Sequence, residues 1–149
     1  MTYLGEESDV PPKKEGKIFD HGTKTRAAFF GQLRSDMRKR WMYSKVRAAV
    51  LKEASVSRNT SRCSECQREV LKTVLKYDKD GNPVLYTKGK QKGRQKRTSN
   101  LDVDHVVDCG SLRCFEDMSG FAERLFCGAE GLRVLCKDCH HKKTHKKGS

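Results

Sequence analysis

The stretch GLRVLCKDCHHKKT, residues 131–144, decides the fold, because it joins a buried strand to a basic helix through two closely spaced cysteines. The apolar run LRVLC predicts a short strand over 132–136, and the basic segment that follows predicts a terminal helix over 137–147. Cys136 and Cys139 lie where the two meet, at C-x-x-C spacing. A tight turn with this spacing can present two thiolates to a single metal ion.

A second pair with the same spacing, Cys63 and Cys66, lies earlier in the chain. Two such pairs supply the four thiolates of a closed tetrahedral shell, so we predict a structural Zn²⁺ ion bound by Cys63, Cys66, Cys136 and Cys139. A dithiol redox site and two accidental pairs are the alternatives. His140 follows Cys139 directly, so a Cys3His shell in which it replaces one thiolate is also open.

The seven cysteines are an odd number, which argues against a disulfide framework. The first residues, MTYLGEESDVPPKKEGK, lack the apolar run of a signal peptide, and no apolar run approaches the ~20 residues that span a membrane. We therefore expect a cytoplasmic protein with reduced thiols and no membrane partner. Cys109, Cys114 and Cys127 lack ligand spacing and are predicted to be buried small residues.

The chain is strongly basic, since 32 Lys and Arg residues outnumber 19 Asp and Glu residues and give a net charge of +13. This charge attracts polyanions, and it predicts nucleic acid as the partner. The segment KGKQKGRQKR, residues 88–97, holds six cations and no apolar residue. We predict that it binds DNA phosphates as a mobile loop; the alternative is a loop that only increases solubility. The predicted DNA-binding residues are Lys88, Lys90, Lys92, Arg94, Lys96 and Arg97.

Three regions follow from these patterns, and together they predict the fold class α+β. Residues 1–22 are polar and are predicted to be a disordered tail. Residues 23–60 are predicted to be a basic helical extension, with a possible break near Tyr43 and Ser44. Residues 61–149 are predicted to be a zinc-stabilised domain with a flexible basic loop over 88–100.

Within the zinc-stabilised domain, a β-hairpin is predicted to turn at Asp80 and Gly81, with residues 84–86 returning along the strand that precedes the turn. Residues 101–109, LDVDHVVDC, alternate in character and predict a strand. A short helix with an apolar face is predicted over 117–127.

Asp104, His105 and His140 are the candidates for chemistry. Hydrolysis of a phosphodiester needs a base to activate water and a cation to neutralise charge on the phosphate. His105 offers an imidazole base, and Asp104 beside it offers a carboxylate for a hard cation. His140 offers a second ligand for that cation, fixed to the zinc site by its neighbour Cys139.

The order of these motifs resembles the HNH (ββα-metal, His-Me finger) endonuclease family. The match runs from Cys63 to Thr144 and is densest in VDHVV and in GLRVLCKDCHHKKT, and the spacer GSLRCFEDMSGFAERLFC is similar to that of small HNH nucleases from tailed bacteriophages. The resemblance implies a ββα-metal core, in which a β-hairpin and a helix surround one catalytic divalent cation, with Mg²⁺ or Mn²⁺ expected. Carried over by position, His105 is the general base, and Asp104 and His140 are ligands of the cation.

Gly131 departs from the family pattern, because it stands where the middle Asn of HNH should precede LRVLC. In the family that Asn fixes the loop that carries the base, so here a backbone group or another polar side chain has to orient His105. His141 and His145 stand four residues apart, so one of them could also face the cation. The leading hypothesis is a metal-dependent DNA endonuclease. The alternative, a zinc-ribbon protein that binds nucleic acid without cleaving it, needs no such base or cation.

Overall fold

A computed structural model describes residues 16–146, and this part of the chain is a mixed α+β arrangement. Its strands pair into small antiparallel sheets of two strands each, β1 with β2, β3 with β4 and β5 with β6. The elements are, in chain order, α1 (Arg26–Met42), α2 (Lys45–Glu53), β1 (Thr60–Arg62), β2 (Glu69–Leu71), β3 (Thr73–Leu75), β4 (Arg97–Ser99), β5 (Leu101–His105), α3 (Met118–Leu125), β6 (Leu132–Cys136) and α4 (Lys137–Lys146).

The predicted helical extension is two helices, and the break lies where it was expected. The Thr25 hydroxyl accepts from the backbone N–H of Ala28 at 3.3 Å and caps α1. Ser44 has extended backbone angles, and its hydroxyl accepts from the backbone N–H of Arg47 at 3.2 Å. The first backbone N–H groups of a helix have no carbonyl partner within that helix. The Ser44 hydroxyl satisfies one of them, so a new helix can begin at this position.

The predicted tail over 1–22 is wrong for its last residues, while residues 1–15 lie outside the part that the structure describes. Phe19 stacks on Phe29 of α1 with ring centroids 4.9 Å apart. The backbone of Phe19 also exchanges hydrogen bonds with Lys24, at 3.1 and 3.0 Å. The aromatic side chain supplies the apolar contact that the polar composition of this region did not suggest.

The hairpin predicted after the cysteine pair is branched. Strand β3 pairs with β4, so the predicted loop over 88–100 is wrong for Arg97–Ser99. The predicted turn at Asp80 and Gly81 is confirmed, since Tyr77 forms an antiparallel bridge with Pro83 across it. Residues 84–86 do not pair with β3, however, because β4 occupies that position. Instead, Lys76 N donates to Lys96 O at 2.8 Å, Val84 N to Lys76 O at 3.0 Å, and Lys96 N to Val84 O at 2.7 Å. We call residues 73–99 the basic arm. Its stem is β3 paired with β4, and beyond Lys76 and Lys96 it divides into two turns, one closed by the bridge between Tyr77 and Pro83 and the other by hydrogen bonds between Tyr86 and residues 93–94.

Strands β5 and β6 hold the centre of the fold. Leu101 lies opposite Cys136, Val103 opposite Val134, and His105 opposite Leu132. The predicted strand over 132–136 is confirmed residue for residue, and α4 follows it without a connecting loop. The hydrophobic core lies between this sheet and helices α1, α2 and α3. Its best-buried side chains are Phe30, Phe121, Leu125 and Val134.

Helix α3 forms within the predicted segment 117–127, and a 3₁₀ turn over Phe115–Asp117 precedes it. Its spacing buries Phe121 and Leu125, four residues apart, on one face. Among residues 16–146, none of the helices combines the length and the apolar character that crossing a membrane requires.

Candidate metal centre and adjoining cleft

The four paired cysteines lie together. The Sγ atoms of Cys63, Cys66, Cys136 and Cys139 are all within 4.8 Å of one another, and those of Cys66 and Cys136 are 4.0 Å apart. A tetrahedral zinc ion with Zn–S bonds of about 2.3 Å holds its sulfurs about 3.8 Å apart. The cluster is therefore compatible with a structural metal such as zinc. His140 lies outside it, so the Cys3His alternative gains no support.

Backbone contacts hold the first cysteine pair against the second. The backbone N–H of Ser64 donates to Val134 O at 2.8 Å, and that of Cys136 donates to the Sγ atom of Cys63 at 3.3 Å. Gln67, directly after the pair, has φ +60° and lets the chain turn back into β2. Because these contacts join the turn between β1 and β2 to the end of β6, a shared metal ion would join parts of the chain that are distant in sequence.

The thiols of the cluster differ in proton affinity. The side chain of Arg68 donates to the sulfur of Cys66 and lowers the pKa of that thiol to about 6. A hydrogen bond with Cys136 raises the pKa of Cys139 to about 12. One sulfur is thus ready as a thiolate, while another retains its proton until a cation replaces it. All seven cysteines are free of disulfides.

The remaining three cysteines are only partly as predicted. Cys109 is buried, and burial raises the pKa of its thiol. Cys114 and Cys127 are half-buried, so the expectation of full burial is wrong for these two. Cys114 precedes the 3₁₀ turn that begins at Phe115, and Cys127 follows the end of α3. Both therefore lie in connecting segments, where fewer neighbours cover a side chain.

A cleft of about 310 Å³ opens beside β5, and we call it the His105 cleft. Asp104, His105 and His140 all line it, so the structure brings the three predicted site residues together. Helix α1 contributes Arg38 and Trp41 to its wall. Neither residue was predicted to belong to the site, although their spacing of three on a helix was a signal that they share one face.

The imidazole of His105 is held by two contacts. Its Nε2 atom lies 2.9 Å from the carbonyl oxygen of Leu125, and its ring lies 4.6 Å from that of Trp41. A carbonyl oxygen can only accept, so Nε2 is the nitrogen that donates. In the neutral ring, Nδ1 then carries the free lone pair. The backbone carbonyl of Leu125 therefore orients His105.

Gly131 is closely enclosed. A Cβ atom built there would lie 2.7 Å from Sγ of Cys127 and 3.1 Å from its Cβ. The carbonyl oxygen of Gly131 accepts from the backbone N–H of Val106, next to the candidate base, at 2.9 Å. A side chain at position 131 would have to displace Cys127, so this chain has no room for Asn there without a shift.

Asp104 lies between two cations. Lys143 Nζ and Arg133 Nε both contact its Oδ2 atom, the latter at 3.3 Å, and the side chain is only 14% exposed. The Lys143 ammonium also donates to the carbonyl oxygen of His105 at 3.3 Å. A divalent cation at Asp104 would have to share the carboxylate with these groups or displace Lys143.

His140 faces the cleft from α4 and contacts β5. Its Nδ1 atom lies 3.1 Å from Oδ2 of Asp102, and Oδ1 of Asp102 accepts from Lys137 Nζ at 2.7 Å. Asp102, Lys143 and Arg133 were not singled out from the sequence. His141 and His145 lie with ring centroids 4.0 Å apart on α4 and do not line the cleft.

The cations of the basic arm differ in their contacts. Lys88, Lys90, Lys92 and Arg94 are exposed. Lys96 is half-buried and lies over the ring of Tyr86 at 5.4 Å. The guanidinium of Arg97 is occupied within the stem, since it donates to Oγ1 and to the carbonyl oxygen of Thr73 at 2.9 and 2.8 Å. The first four, like the exposed Arg97, have the accessibility that phosphate contacts require.

Comparison of the chain with protein-family models, with curated proteins and with solved structures finds no match.

Proposed function

We propose that this protein is a metal-dependent endonuclease of the HNH type, which hydrolyses DNA phosphodiester bonds with His105 as general base. The observation that carries the proposal is the convergence of Asp104, His105 and His140 on one cleft. A base and two hard-cation ligands come from β5 and α4, and the hydrogen bond from His105 to Leu125 leaves Nδ1 as the basic nitrogen.

The residues present fit a cation in part. The carboxylate of Asp104 is a donor that suits Mg²⁺ or Mn²⁺, whereas the imidazole of His140 suits transition metals better than Mg²⁺. The cleft that both residues line has room for water and phosphate oxygens. When bound, such a cation would neutralise charge on the phosphate as the ester is cleaved. The contact of Asp104 with Lys143 opposes binding, because the ammonium competes for the same oxygen.

In the proposed reaction, Nδ1 of His105 takes a proton from a water molecule as its oxygen bonds to phosphorus. One P–O ester bond then breaks, and the leaving oxygen takes a proton from solvent. Arg38, which lines the cleft from α1, is suited to bind a phosphate oxygen through its planar guanidinium. The closed cluster of four cysteines would take no part in the chemistry and would fix α4, and with it His140, relative to β5.

The basic composition supports DNA as the substrate. The net charge of +13 and the exposed cations of the basic arm suit a polyanion. We further propose that the ion at the four cysteines is zinc, as the all-thiolate shell favours. Elemental analysis of the purified protein should find about one zinc per chain, and Cys136→Ser should lose it.

A second candidate function is a nucleic-acid-binding protein without activity. The observation that favours it is the pairing of Asp104 with both Lys143 and Arg133, which satisfies the carboxylate without any cation. The two proposals differ in one assay. Supercoiled plasmid is incubated with the zinc-loaded protein and with Mg²⁺, Mn²⁺ or EDTA, and nicked and linear products are measured.

Cleavage that requires the divalent cation and is lost in His105→Ala supports the endonuclease. His145→Ala is the matched control, because it removes an exposed histidine that does not line the cleft. Binding of plasmid without cleavage under any of these cations would favour the second candidate.

A further inference from the structure

We infer that Asp102 is a positioning residue for His140, holding the imidazole so that its Nε2 atom is the nitrogen available to a cation in the His105 cleft. The inference rests on the proposed function, because it concerns the same cation. It adds a residue that lies outside the lining of the cleft and that the sequence did not single out.

Asp102 contacts His140 without lining the cleft. Asp102 stands two residues before Asp104 on β5, so both side chains leave the same face of the strand. Asp104 lines the cleft and Asp102 does not. Oδ2 of Asp102 lies 3.1 Å from Nδ1 of His140, so this contact occupies Nδ1 and leaves Nε2 as the other ring nitrogen.

The second oxygen of Asp102 is fixed as well. Oδ1 accepts from Lys137 Nζ at 2.7 Å, which orients the carboxylate. Lys137 follows Cys136 directly, and His140 follows Cys139 directly. One carboxylate of β5 therefore contacts two residues of the turn that carries the second cysteine pair. Through Asp102, the turn that holds the structural metal also sets the orientation of the cation ligand.

The chemistry of the two groups determines which of them donates the hydrogen bond between His140 and Asp102. An ionised carboxylate can only accept, so Nδ1 of His140 carries the hydrogen, and the lone pair of the neutral ring lies on Nε2. Histidines that bind metals commonly donate their other N–H to a carboxylate, and losing that partner costs about 10–100-fold in metal affinity. If the ring were protonated, the same contact would be a surface ion pair, which contributes little to stability and leaves neither nitrogen with a lone pair for a cation.

The test measures the cation and the tautomer separately. Binding of Mn²⁺ to zinc-loaded protein is followed by electron paramagnetic resonance for wild type, His140→Ala, Asp102→Asn and Asp102→Glu. Long-range ¹H–¹⁵N spectra in the absence of Mn²⁺, at a pH where imidazole is neutral, report which nitrogen of His140 carries the hydrogen. Asp138→Asn is the matched control, because it also removes one carboxylate, at an exposed position in the turn that carries His140.

We expect Asp102→Asn to weaken Mn²⁺ binding about 10–100-fold. The Asn amide can donate to Nδ1, so His140 should change to the Nε2–H tautomer. Asp102→Glu keeps the carboxylate and should keep Nδ1–H, and Asp138→Asn should behave as wild type. Zinc content and circular dichroism establish that each variant is folded.

Two negative outcomes are distinguishable. If wild type and His140→Ala bind Mn²⁺ equally, the proposed cation site itself is wrong. If His140→Ala weakens binding while Asp102→Asn keeps both the affinity and the tautomer of wild type, the cation site stands and the role of Asp102 is refuted.

Discussion

The Nε2 atom of His105 donates to the backbone carbonyl of Leu125 at 2.9 Å, and this contact joins the end of β5 to the last turn of α3. A backbone carbonyl cannot be removed by substitution at position 125. The orientation of the candidate base therefore depends on the packing of α3, whose Phe121 and Leu125 are among the best-buried side chains of the core.

The first prediction separates the two roles of His105. His105→Gln removes the base but keeps an N–H that can reach Leu125, whereas His105→Ala removes both. Each should lower the rate of plasmid cleavage about 10²–10⁴-fold, the usual contribution of a general base. His105→Ala should also lose about 0.5–1.5 kcal/mol of unfolding free energy, which His105→Gln largely retains. Urea titrations and cleavage rates measure the two effects, and a His105→Gln variant as active as wild type would refute the base.

The sequence predicted the elements that neighbouring residues decide. The run LRVLC identified β6, and the two C-x-x-C pairs identified the cysteines that the structure brings within 4.8 Å. Both signals are local, because strand character and ligand spacing are set by a few adjacent residues.

Contacts between distant parts of the chain were harder to predict from the sequence. Arg38 and Trp41 reach the cleft because α1 packs on α3, and no spacing within α1 reveals that partner. The partner of β3 was predicted wrongly. Residues 84–86 were expected to pair with it because they are apolar, but β4 is its partner. The bonds from Arg97 to Thr73 help to hold β4 in that position, and a basic segment gave no sign of them.

The second prediction concerns the basic arm. Replacing the exposed Lys88, Lys90, Lys92 and Arg94 by Gln should weaken DNA binding and flatten its salt dependence, because each phosphate contact contributes about 0.9 to the slope of log K against log salt. Arg97→Gln is the contrasting variant. It should change the slope by less than the value of about 0.9 for one phosphate contact, since the guanidinium of Arg97 already donates to Thr73. Binding isotherms between low and moderate salt measure the slopes. An unchanged slope in the fourfold variant would mean that the arm only increases solubility.

The third prediction follows from the pKa of Cys66, which is lowered from 9.0 to about 6 with the hydrogen bond from the Arg68 side chain as the largest cause. In Arg68→Met that pKa should rise towards its ordinary value, so metal binding must displace one further proton between about pH 6 and pH 9. The variant should bind zinc as tightly as wild type above this window and progressively less tightly as the pH falls through it. Below about pH 6 the difference should become constant, because both proteins then displace that proton.

Competition with a chromophoric chelator across this pH range measures the effect. Arg62→Met is the matched control, since its guanidinium donates to the carbonyl oxygen of Gln67 at 2.8 Å and not to a sulfur. A pH-independent difference between Arg68→Met and wild type would contradict the assigned cause.

The last prediction tests why position 131 is Gly. Gly131→Asn introduces the residue that the HNH pattern has at this position, but it places a Cβ 2.7 Å from Sγ of Cys127, so we expect a loss of about 1–3 kcal/mol in unfolding free energy from overpacking. Cys127→Ala removes the sulfur and keeps the Cβ contact at 3.1 Å, so the cost of Gly131→Asn should be smaller in that background. A double-mutant cycle by urea unfolding isolates this coupling. Because Gly131 O accepts from Val106 N beside His105, the clash should also lower cleavage, and Cys127→Ala should partly restore it. Equal costs of Gly131→Asn in the two backgrounds would show that Cys127 is not the obstacle.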